Sequence, residues 1–78
     1  MFTAFVLVKL AAGREKDVHN ALMKLSEIQG IRPVFGDYDI IARIETADFR
    51  NIRDIVMNKI RRIDGVMSTT TLIGVEEN

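Results

Sequence analysis

Cysteine is absent from this chain, histidine and proline occur once each, and neither sign of charge is in excess. Without cysteine there is no disulfide and no thiolate metal site. His19 alone cannot build a multi-histidine metal site within one chain, so neither a metal nor a cofactor is expected. Lysine and arginine number 11, as do aspartate and glutamate. That balance lacks the basic excess with which nucleic-acid binders neutralise phosphates. No apolar run approaches the roughly 18 residues that span a membrane. The run from Phe2 to Val8 is broken by Thr3, ends at Lys9 and has no basic leader. A cytoplasmic protein with no membrane contact is the default expectation.

What is present suits one small folded domain over residues 1–78, 47% apolar and 28% charged. A core this small is marginal by itself. With disulfides and metals closed as routes to extra stability, self-association is the expected compensation.

Phe2, Ala4, Val6, Val8 and Leu10 alternate onto one face of a strand, and Thr3, Phe5, Leu7 and Lys9 onto the other. Both faces are partly apolar, so both need cover. After a break at Ala11, Ala12 and Gly13, the positions Val18, Ala21, Leu22, Leu25 and Ile28 predict one stripe of an amphipathic helix. Glu15 and Asp17 favour its start, and Gly30 is expected to terminate it. A short strand is predicted at 31–35, with Pro33 restricting it to a sheet edge. Gly36 and Asp37 supply turn chemistry before a second strand at 38–45, making a hairpin. In that strand Tyr38, Ile40, Ala42 and Ile44 are expected on one face. Thr46 or Asp48 would cap a second helix carrying Phe49, Ile52, Val56, Ile60 and Ile63, ended by Gly65. A final strand, rich in β-branched residues, is predicted at 66–75. The tail at 76–78 is expected to fray.

The order β-α-β-β-α-β predicts an α+β fold of the ferredoxin-like kind. An antiparallel four-stranded sheet would carry both helices on one face, and the bare opposite face predicts a face-to-face or edge-joined dimer, a dimeric αβ sandwich. The matching segments Ile28-Gln29-Gly30-Ile31 and Ile63-Asp64-Gly65-Val66 suggest two related halves.

Few residues suggest chemistry. His19 lies off the apolar stripe among Glu15, Lys16 and Asp17, and reads as a solvated helix residue rather than a base or ligand. Asp37 and Asp39 flank Tyr38 at the hairpin. They read as turn formers, as an acid–base pair, or as a carboxylate and free amides that recognise a ligand's ammonium and carboxylate groups. Ser68, Thr69, Thr70 and Thr71 satisfy β-propensity and would equally line a polar pocket. No nucleophile–histidine constellation can be assembled. The basic second helix (Arg50, Arg53, Lys59, Arg61, Arg62) reads as a solvated face. The two helices are separated by a strand pair, not by a helix-turn-helix turn.

Three segments carry a family likeness. Val34-Phe35-Gly36-Asp37-Tyr38-Asp39, Ile63-Asp64-Gly65-Val66 and Thr69-Thr70-Thr71-Leu72 together resemble the C-terminal effector-binding (RAM) domain of the Lrp/AsnC transcription regulators. The likeness runs from end to end. It implies dimers paired through their sheets, rings of eight or ten subunits, and amino-acid effectors bound between dimers. It also implies that Gly36, Asp37, Tyr38 and Asp39 form a pocket wall. Asp39 would face the ligand ammonium, and Thr69 and Thr71 would offer hydroxyls. Because Met1 opens the first strand with no preceding helix-turn-helix, a stand-alone form that does not bind DNA is expected, sensing effectors or joining full-length relatives in mixed oligomers. A small dimeric monooxygenase-like enzyme and a purely structural assembly partner are the alternatives.

Overall fold

The computed structural model describes residues 1–75, so the tail expected to fray lies outside the described residues. Four strands form one sheet, β1 (Phe2–Leu10), β2 (Ile28–Pro33), β3 (Ile40–Thr46) and β4 (Val66–Ile73), in the order β2-β3-β1-β4. Every neighbouring pair is antiparallel. Two helices, α1 (Glu15–Met23) and α2 (Phe49–Ile55), complete the ferredoxin-like βαββαβ architecture.

The alternation of β1 positions the core. Ala4, Val6, Val8 and Leu10 are buried with Ile40, Ala42 and Ile44 of β3, beneath Val18 and Leu22 of α1 and Ile52, Ile55, Val56 and Ile60. No polar side chain is buried among the described residues. The opposite face has no helix. There Phe5 is 39% exposed and Leu72 52%, beside half-buried Leu7 and Ile41.

Three elements depart from the periodic reading. α1 stops at Met23, not near Ile28. Leu25 and Ile28 still pack on the core, but from a turn and from β2. Ile28 is paired with Ile44 of β3, so a sheet ladder takes the backbone groups a longer helix would have used. Gly30 is therefore a strand residue opposite Arg43, beside a register shift, and does not end a helix. The first hairpin strand accordingly begins at Ile28 and closes at Pro33, ahead of Val34 and Phe35. It is an edge strand, as Pro33 requires.

Asp48 caps α2, its carboxylate accepting from the Arg50 amide at 2.9 Å. The helix then widens into a π-type turn, Val56–Ile60, with the Arg61 amide donating to the Val56 carbonyl at 2.9 Å. Ile63 reaches the core from beyond the helix. Gly65 follows at φ +103, where a side chain would meet the start of α1.

Candidate functional site

The β2–β3 connection is built around a short loop at 35–38. The Val34 amide donates to the Asp39 carbonyl at 2.9 Å, closing it. Gly36 adopts φ +127, a conformation a side chain resists. Phe35 before it is 100% exposed.

The two residues after the turn are anchored in opposite directions. The Asp39 amide donates to the Val8 carbonyl at 2.9 Å. Its carboxylate Oδ2 accepts from the Leu10 amide at 2.8 Å. That amide lies where the β1–β4 ladder shifts register, between Lys9 and Leu10. Asp39 thus fastens the turn to the end of β1. Tyr38 goes the other way. Its hydroxyl shares a 2.8 Å hydrogen bond with Thr70 Oγ1. Thr70 is paired with Leu7 and so lies on the bare face. Tyr38 therefore does not share the core face of Ile40, Ala42 and Ile44, because β3 begins only at Ile40.

Asp39 opens onto a groove of about 430 Å³. Its floor is apolar, from Pro33, Val34 and Ile40, and its rim carries Glu15, Lys16 and His19 of α1. Charges of both signs thus surround a hydrophobic floor. That arrangement suits a small zwitterion with an apolar substituent. Among the described residues no group of three or more His, Cys, Asp or Glu can hold a metal ion.

The expected site residues do not all meet. Gly36, Asp37, Tyr38 and Asp39 are contiguous at the turn. Thr69 and Thr71 are paired with Val8 and Val6, on the helix-covered face. Thr71 lines a separate apolar cleft of about 350 Å³ with Phe49, Ile52, Val56 and Met57. Within one subunit β1 lies between the hairpin and β4, and Thr71 lines a different cleft from Asp39. The threonine that reaches the turn is Thr70, which belongs to the hydroxyl run but not to the pair of threonines that the family resemblance implies. Strand alternation already set it apart from its neighbours, but the direction of Tyr38 decides which face matters. Of the three residues of α1 at the groove, Glu15 and Lys16 carry no site signal in the sequence and His19 reads there as a solvated helix residue. Their place at the groove comes from position, in the first turns of a helix that packs beside the hairpin.

The Lrp/AsnC ligand binding domain model matches residues 3–77. The HTH-type transcriptional regulator FL11 of Pyrococcus furiosus is 33% identical over 70 residues, covering 90% of this chain and 46% of that protein. The chain spans about half the length of the curated relatives it matches. The crystal structure of FFRP-DM1 superposes with a TM-score of 0.90 at 33% identity, over 96% of this chain and 100% of that one. The transcriptional regulator NMB0573 of Neisseria meningitidis, solved as an L-Met complex, shares the fold with a TM-score of 0.88 at 17% identity. It is matched over 97% of this chain and 51% of that one. Sequence and fold agree, and the chain belongs to the Lrp/AsnC family of regulatory ligand-binding domains.

Proposed function

We propose that this chain recognises an amino-acid effector and couples its binding to oligomer state, within a transcription-regulatory system of the cytoplasm and without contacting DNA itself. The observation that carries this reading is the anchored turn. Asp39 is fixed by two bonds to β1 and lines the groove, where its carboxylate would face a ligand ammonium. The Gly36 and Asp37 backbone would take the ligand carboxylate, and Tyr38 would pack beside it. The L-Met complex of a regulator with this fold supports an amino acid as the class of ligand. The zero net charge supports a role apart from DNA.

Thr71 lines a different cleft from Asp39, and β1 stands between β4 and the hairpin, so in this reading Thr69 and Thr71 reach the effector from a neighbouring subunit. The effector would then sit between subunits and favour the assembled state. Dimers paired through the bare sheet face and closed into rings of eight or ten fit this reading, as do mixed rings with full-length relatives.

Calorimetry with each common amino acid, on the unmodified chain and on Asp39→Asn, tests it. Asparagine keeps an acceptor for the Leu10 amide but removes the charge. The expected result is an unchanged melting temperature with binding weakened about tenfold or more, the scale of one charged hydrogen bond. Unchanged affinity would remove Asp39 from the site, and no heat from any amino acid would remove the ligand class.

A further inference from the structure

The apolar cleft of about 350 Å³ between α2 and β4 differs in kind from the turn groove. Phe49, Ile52, Val56, Met57 and Ile73 line it, and Phe49, Met57 and Ile73 stand exposed to water. Its size lies at the small end of ligand pockets. Its walls are held in place. The Phe49 ring meets Phe2 edge to face, with centroids 5.7 Å apart. Val56 and Met57 belong to the π-type turn, a rare widening that recurs mostly at functional sites. Lys59 of the same turn is tied to Glu27. Two polar side chains complete the lining, Arg53 and Thr71. The other cations and acids of this helix face are engaged. Arg50 pairs with Asp48 at 3.1 Å, Arg61 donates to Met57 Sδ at 3.4 Å, and Asp54 accepts from Asn58 at 2.7 Å. Arg53 has no carboxylate partner among the described residues. No aspartate or glutamate among them lines the cleft.

We infer that this cleft binds a small carboxylate with an apolar or aromatic tail and no ammonium group, the class of compound left when an apolar amino acid loses its amino group. The tail would cover Phe49, Ile52, Val56 and Met57, taking exposed apolar surface out of water. The carboxylate would accept two parallel N–H bonds from the Arg53 fork and one from the Thr71 hydroxyl. An amino acid suits the cleft poorly. Its ammonium would give up water beside a fixed cation, with no acid to receive it. The turn groove has the other bias, with Asp39 and Glu15 facing Lys16. The two cavities thus sort acids from zwitterions by charge pattern. The cleft is complete within one subunit, so the inference does not rest on the effector reading. Thr71 serves both, so a carboxylate in the cleft and an effector at a neighbouring turn would compete for its hydroxyl.

Three probes of like size and the same ring test it. 3-Phenylpropionate has the carboxylate alone, L-phenylalanine adds an ammonium, and 3-phenylpropanol has no charge. Methionine methyl NMR of the chain in its native assembly reads the location, because Met57 lines the cleft and Met23, at the end of α1, does not. 3-Phenylpropionate is expected to shift Met57 and not Met23. It should bind there about tenfold or more tighter than either of the other two, the scale of one charged hydrogen bond. Arg53 is exposed, so its variants are expected to fold. Arg53→Gln should lose about tenfold in affinity for 3-phenylpropionate, and Arg53→Lys should recover part of that loss. An unmoved Met57, equal affinity for all three probes, or full affinity in Arg53→Gln would overturn the inference. Binding of L-phenylalanine that leaves Met57 unmoved bears on the turn groove alone, so the two readings fail separately.

Discussion

Gly65 and Gly36 both sit at positive φ, but for different reasons. A Cβ at Gly65 would fall 2.9 Å from the Arg14 Cβ and 3.0 Å from Val18 Cγ2. Neither is the loose end of a flexible side chain, so α1 and β4 would have to separate. At Gly36 a Cβ would meet nothing within 4 Å, and only the backbone conformation resists. Gly36→Ala should cost about 1–2 kcal/mol, the usual penalty of a left-handed conformation. Gly65→Ala should cost clearly more, about 2–4 kcal/mol, because crowding adds to that penalty. Urea denaturation of the two variants checks the order, and equal costs would refute the steric account. The same comparison shows how far single residues were legible. Gly30 and Gly65 stand in near-identical sequence contexts and looked equivalent. One pairs inside a strand and the other turns the chain beneath α1. Tertiary neighbours decide this, and local sequence does not display them.

At the scale of elements, strands were the most readable parts. Alternation located β1 almost residue for residue, because every second side chain must enter the core. Helix ends were less so. Leu25 and Ile28 fit a helical stripe because a turn and a strand can deliver apolar groups to the same core at the same spacing. The π-type turn after α2 was likewise hidden, since Val56 and Ile60 keep a regular four-residue step. Lys59 of that turn holds Glu27, just before β2, in a hydrogen-bonded ion pair. The Lys59 side chain holds the Glu27 carboxyl below its ordinary 4.5, helped by a backbone hydrogen bond within Glu27. Glu27 in turn raises Lys59 above 10.5. A carboxyl with a depressed folded pKa stabilises the fold above its unfolded pKa and loses that contribution as pH falls through the folded one. Asp48, held low by the Arg50 side chain and amide, loses its contribution in the same acid range. The melting temperature is therefore expected to fall as pH drops below about 4.5. Glu27→Gln should melt lower than the unmodified chain near neutral pH, and the gap should close by about pH 3, where carboxylates are protonated. A gap of constant size across that range would mean the pair contributes nothing electrostatic. The raised lysine gives the opposite limb, stability present below 10.5 and lost above it.

The whole subunit leaves a good deal of apolar surface in water. Phe5 and Leu72 lie on the bare sheet face, and Phe35 is fully exposed at the tip of the turn. A wholly exposed phenylalanine on an anchored loop has the character of an interface anchor. Phe35→Ser is expected to leave the melting temperature of the dissociated subunit unchanged and to weaken assembly about tenfold or more, as loss of an aromatic anchor does. Sedimentation over a concentration series would show it. An unaltered assembly would place Phe35 outside every interface. The sequence announced the need for a partner, through a first strand apolar on both faces. It did not reveal that Asp39 and Thr71 line different clefts, because that depends on how the hairpin and helices pack.

Tyr38 spans the molecule's width. It leaves the turn before β3, passes over β1 and ends on Thr70 of the outermost strand. Its ring is a tie-rod between two places that share no other side-chain hydrogen bond among the described residues, the turn and the outermost strand. Whatever stiffens one end of such a tie stiffens the other. A molecule lodged at the turn and a contact made on that strand would each sense the other through one phenol. The exchange would be even-handed, since a coupling free energy has the same size from either end.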